Sequence, residues 1–134
     1  MARQKKDYPR RALSSDNYRT DKWLMDIFEG WYDPCPLCPE DELIENGLNV
    51  HWASRGSQVF VNPPYSNPLP WIKAAIEEKS LTPEMTIVML LKHDSSTEWF
   101  RLLHESGAHF LMVNKRLKHE TGRSAAFPSV LVVL

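Results

Sequence analysis

The chain has 134 residues, a length that suits one domain and leaves little room for a second. Its 43% hydrophobic and 25% charged residues are near the globular average, and no apolar run approaches the roughly 18 residues of a membrane helix. A net charge of −1 does not by itself announce a nucleic-acid binder, and the basic N-terminus lacks the apolar segment of a secretory signal, so a soluble, cytoplasmic protein is expected.

The distribution of charge says more than its sum. Arg3, Lys5, Lys6, Arg10 and Arg11 crowd the first eleven residues against Asp7 alone, and Lys115, Arg116, Lys118 and Arg123 form a second basic group. Either group can neutralise phosphates, or can simply be a solvated tail or loop. The region from Asp33 to Glu45 between them is acidic.

In chain order, residues 1–19 are polar, charged and without period, as in a flexible arm, and residues 20–134 form a single domain. Thr20 is a cap for a short helix with Trp23, Leu24, Ile27 and Phe28 at helical spacing and Gly30 at its stop. Trp31-Tyr32 is a short strand candidate that leads into Asp33. Pro34 to Trp52 reads as irregular, with a turn at Asn46-Gly47. Within it, Cys35 and Cys38 have C-x-x-C spacing, but no second ligand pair follows, so a zinc site is incomplete. Pro34, Pro36 and Pro39 lack backbone N–H groups and resist opening the helix that a redox pair requires, which leaves two cysteines in a loop.

Gln58 to Val61 is a strand by composition. Leu69 to Lys79 is a helix, with Trp71/Ala75 and Ile72/Ile76 as i,i+4 pairs. Ile87 to Leu91 is a continuous apolar run, as in a strand buried on both faces. Ser95-Ser96-Thr97-Glu98 reads as a capping box that opens a helix with Trp99, Phe100, Leu102 and Leu103, stopping near Gly107. His109 to Val113 and Val130 to Leu134 complete the strands. The alternation predicts an α/β domain with a largely parallel sheet, in which ligands bind beyond the carboxyl ends of the strands.

Asn62-Pro63-Pro64-Tyr65 lies just past one such end. An exocyclic amine such as that of adenine is a poor nucleophile, because its lone pair is delocalised into the ring. Two acceptors near the amino hydrogens favour a pyramidal nitrogen, and the Asn62 side-chain oxygen and the Pro63 carbonyl supply them. Consecutive prolines hold the carbonyls in fixed directions. Tyr65 offers a face on which an extruded base can stack. The bland alternative is a rigid turn after a strand. His93-Asp94 has no nucleophile in view and reads as structural or as part of a cofactor rim. His51, His104 and His109 lack ligand spacing. The five tryptophans read as core, with Trp52 as a cofactor-side candidate.

From Tyr18 to Leu134 the chain resembles the phage-type, Dam-like DNA N6-adenine methyltransferases. The likeness is strongest in Val59 to Ser66 followed by Trp71-Ile72-Lys73-Ala74. Arg19-Thr20-Asp21-Lys22-Trp23, Asp33-Pro34-Cys35-Pro36, Gly47-Leu48 with Trp52, Leu90-Leu91-Lys92, Trp99-Phe100, Lys115-Arg116-Leu117-Lys118 and Ala126-Phe127-Pro128-Ser129 also match. The resemblance implies a compact Rossmann-like S-adenosylmethionine methyltransferase fold, its largely parallel sheet completed by a C-terminal antiparallel strand. It implies S-adenosylmethionine at Thr20, Asp33, Pro34, Cys35 and Trp52. It also implies catalysis at Asn62, Pro63, Pro64 and Tyr65, and DNA at Lys115, Arg116, Lys118, His119 and Arg123. No metal or membrane partner is expected, and the compartment is the host cytoplasm if the chain is phage-encoded.

Two departures stand out. A Phe-x-Gly-x-Gly cofactor loop is replaced by Asp33-Pro34-Cys35-Pro36, and His119 stands where relatives usually place an aromatic residue. Without a separate target-recognition domain, a short or relaxed DNA target is expected. RNA bases or a protein glutamine remain alternative substrates, and a degenerate nucleic-acid-binding protein is the alternative of a different class.

Overall fold

A computed structural model describes residues 21–36, 46–114, 117 and 128–134. The basic arm, with Thr20, lies outside the described residues, as do Cys38, Lys115, Arg116, Lys118, His119 and Arg123.

Four strands form one sheet: β1 (Gln58–Val61), β2 (Thr86–Lys92), β3 (His109–Met112) and β4 (Ser129–Val133), in the order β1-β2-β4-β3. β1 pairs with β2 in parallel, while β4 is antiparallel to both β2 and β3. The sheet is therefore mixed, which corrects the largely parallel expectation. β3 runs in the direction of β1 and β2, but β4 inserts between β2 and β3 and removes what would have been a second parallel pairing. The antiparallel C-terminal strand is present as expected.

Side-chain alternation along the strands divides the core in two. Val59, Val61, Ile87, Met89, Leu91, Val130 and Val132 face the helices α2 (Leu69–Leu81) and α3 (Glu98–Glu105), meeting Trp71, Ile72, Ala75 and Leu103. Phe60, Val88 and Leu90 face the other way, towards Leu24 of α1 (Lys22–Ile27) and Leu117. There Phe28 stacks on Phe60 with centroids 4.2 Å apart. β2 is buried on both faces, which is why it reads as an unbroken apolar run. Each fully buried aliphatic side chain contributes about 1.5–3 kcal/mol.

Local details follow the sequence with some shifts. Trp31-Tyr32 does not become a strand; Tyr32 alone makes a parallel bridge to Val59. In α1 the helical spacing holds, but Asp21 is the N-cap, and Trp23 and Ile27 are exposed. Gly30 and Gly107 adopt φ of 85° and 83° after α1 and α3, the left-handed stop that glycine tolerates best.

The cap of α3 moves from Ser95 to Thr97, whose Oγ accepts from Phe100 N at 3.3 Å and donates to the Asp94 carbonyl at 2.9 Å. Asp94 engages both the amide and the hydroxyl of Ser96, so the serines belong to the turn rather than to the helix. Replacing Thr97 by alanine is expected to cost about 1 kcal/mol, seen as a lower urea midpoint with an unchanged slope.

Candidate functional site

β1 ends at Val61, and Asn62 to Tyr65 continue from its carboxyl end towards α2. Pro63 and Pro64 are buried, and Asn62 and Tyr65 are half-buried. The Asn62 side-chain oxygen is shielded from solvent. Asn67 N donates to Pro64 O at 3.2 Å, and Trp71 and Ile72 N donate to Pro68 O at 3.0 and 3.1 Å, so the turn passes directly into α2. With φ restricted at Pro63 and Pro64, the backbone carbonyls of this turn have little angular freedom.

Asp33-Pro34-Cys35 reaches the same end of the sheet by a different route. Tyr32 N donates to Gln58 O and Phe60 N donates to Tyr32 O, both at 3.0 Å, so Tyr32 runs beside β1 in the same direction. That pairing sends Asp33 out at the carboxyl end, where its Oδ1 accepts from Cys35 N at 2.9 Å in an Asx turn. Cys35 is buried in the main core. Among the described residues no cluster of three or more His, Cys, Asp or Glu has the makings of a metal site.

Two linked hydrogen bonds brace this turn. Gly47 N donates to Pro34 O at 3.1 Å, and the indole N–H of Trp52 donates to Gly47 O at 2.9 Å. Trp52 itself has 0% exposure, so it shapes the segment from within the core. Beside it, His51 Nδ1 lies 3.3 Å from Glu78 Oε1 on α2, and Glu78 is only 1% exposed. A carboxylate buried this deeply needs such a partner. The pair is separated by 27 positions, so no local pattern announces it. His104 and His109 are exposed.

On the β2 side of the turn is a cleft of about 290 Å³. Pro63, Tyr65, Asn67 and Leu69 line it from the turn and the start of α2; Lys92, Asp94, Thr97 and Trp99 line it from the end of β2 and the start of α3. The Ser96 hydroxyl, then the Ser96 amide, hold the Asp94 carboxyl below the usual carboxylate range, so it is ionised at neutral pH. Asp94 is thus both a turn-former and a rim residue, and Trp99, read from sequence as core, is part of the cleft wall.

The family model described as DNA N-6-adenine-methyltransferase (Dam) matches residues 40–126, more than half of the chain. The chain belongs to this family. The matched span takes in the Asn62–Tyr65 turn and the whole cleft wall, and it begins after Asp33-Pro34-Cys35. A DNA N-6-adenine-methyltransferase of Haemophilus phage HP1 is 38% identical over 82 residues, 58% of this chain and 46% of the relative. One of Escherichia phage T1 is 33% identical over 112 residues, 84% of this chain and 45% of the relative. The chain thus spans just under half the length of these curated relatives. No solved structure matches it significantly. No described helix is long and apolar enough to cross a membrane.

Proposed function

We propose that the chain transfers a methyl group from S-adenosylmethionine to the exocyclic N6 of adenine in DNA, on a Rossmann-like methyltransferase sheet with a reversed last strand. The observation that carries this is the rigid Asn62-Pro63-Pro64-Tyr65 turn at the carboxyl end of β1, beside a cleft and inside the matched span. Asn62 Oδ1 and the Pro63 carbonyl accept from the two amino hydrogens and localise the lone pair on nitrogen. The buried prolines hold the backbone carbonyl in place, so the Asn62 side chain alone has to turn its oxygen to the base. Extruding the base costs a few kcal/mol, and stacking on Tyr65 returns roughly 1–3 kcal/mol of it.

When bound, S-adenosylmethionine supplies an electrophilic methyl group. The half-exposed Asp33 carboxylate at the same end of the sheet is an acceptor suited to its hydroxyl and amino groups. Pro34 and Cys35 complete the turn, and Trp52 braces it through Gly47. In the same reading Thr20 meets the methionine end. Lys115, Arg116, Lys118 and Arg123 neutralise phosphates, and His119 approaches the base. The relatives are phage proteins, so the working compartment is the host cytoplasm.

Tritiated S-adenosylmethionine offered with DNA, RNA and protein side by side is expected to label adenine in DNA. Label in RNA or in a protein glutamine would move the substrate, and no transfer to any of them would leave a binding protein. In calorimetry, Asp33→Ala is expected to weaken S-adenosylmethionine binding by about ten- to a hundredfold, the loss of a hydrogen bond to a charged group. Unchanged affinity would remove Asp33 from the site.

A further inference from the structure

We infer that Trp99 is a base-stacking residue, the second aromatic wall of the cleft that Tyr65 opens; this rests on the proposed transfer to a DNA base. Both rings line the same space but come from different elements, Tyr65 from the turn after β1 and Trp99 from the first turn of α3. Trp99 is half-buried, packs against the main core and lines the cleft. It is also held in place, since Thr97 caps the helix two residues earlier and Phe100 lies beside it with centroids 6.1 Å apart. A side chain so packed has little rotamer entropy left to lose on binding.

The rest of the lining suits a single heterocycle. Pro63, Pro68, Leu69 and Leu91 contribute apolar surface, while Asn67, Lys92, Asp94 and Thr97 bring hydrogen-bonding groups. At about 290 Å³ the cleft is at the bottom of the range for small-ligand sites, roughly 300–1,000 Å³, which matches one base more closely than a larger ligand. A planar base is sequence-tolerant towards a ring above or below it, because every base has a π-face.

The test compares the full chain with Trp99→Leu, which keeps an apolar side chain without a ring, and Trp99→Phe, which keeps an aromatic face. For transfer to unmethylated DNA, kcat/KM of the leucine variant is expected to fall about ten- to a hundredfold, with S-adenosylmethionine affinity by calorimetry unchanged. The phenylalanine variant is expected to recover most of the loss. A leucine variant within about twofold of the unaltered chain, or leucine and phenylalanine variants equally impaired, would overturn the stacking role while leaving the proposed reaction intact. An unaltered chain that methylates no DNA would overturn both. Should the leucine variant not fold, indole fluorescence decides. Oligonucleotide binding is expected to quench the unaltered chain more than Trp99→Phe, and equal quenching overturns the inference.

Discussion

Asn62→Ala is expected to lower methyl transfer to DNA by about 10²–10³-fold while leaving S-adenosylmethionine binding in place. On the proposed mechanism the substitution removes one of two acceptors for the amino hydrogens and leaves the Pro63 carbonyl, which belongs to the backbone and persists. Asn62 is half-buried, and its oxygen is shielded from water, so solvent does not readily substitute for the lost dipole. The prolines that follow keep the turn in shape, and the melting temperature is expected to fall by no more than a few degrees. Single-turnover tritium transfer separates this loss from any change in DNA affinity. A variant as fast as the unaltered chain would show that the Pro63 carbonyl alone suffices, and the acceptor mechanism would fail. Asn62→Asp keeps an acceptor at the same point and is expected to retain part of the rate.

Gly47→Ala is expected to be the most damaging small substitution for stability. A Cβ at Gly47 would stand 2.3 Å from both the Cβ and the carbonyl oxygen of Pro34. The clash is with backbone and a rigid ring, so no flexible side chain can move aside. Nor can Gly47 retreat: its N–H holds Pro34 O and its carbonyl holds the Trp52 indole. Overpacking of this kind costs about 1–3 kcal/mol, or a fall in melting temperature of about 3–10 °C for a chain of this size. Displacing Pro34 also disturbs the Asx turn of Asp33, so, with Asp33 in its proposed role, S-adenosylmethionine affinity is expected to fall with stability. An unchanged melting temperature would mean that the Pro34–Gly47 approach relaxes freely, and Gly47 would lose its bracing role.

Much of the local structure was legible in the residues themselves. Gln58 to Val61 is a strand with the predicted ends, and the i,i+4 pairs of Trp71/Ala75 and Ile72/Ile76 lie in α2. Glycine stops after α1 and α3 appear where Gly30 and Gly107 stand. The α3 cap lies two residues beyond the Ser95 that the capping-box pattern points to, because two local bonding patterns compete for the same serines. Asp94 captured Ser96, and Thr97 was left to cap.

By itself the sequence determined the elements and the motif's setting: a rigid Asn-Pro-Pro-Tyr turn following an apolar strand and preceding a helix. Those features arise from φ restriction, side-chain periodicity and capping, all of which act within a few residues. Tertiary structure alone decided the strand order, because an apolar run buried on both faces accepts a parallel or an antiparallel neighbour equally well. It also decided that Trp52 lies wholly inside, that His51 meets Glu78, and that Trp99 borders the cleft with Tyr65. Each of these depends on which elements pack side by side, and helical spacing cannot distinguish a tryptophan that fills a core from one that also forms a wall.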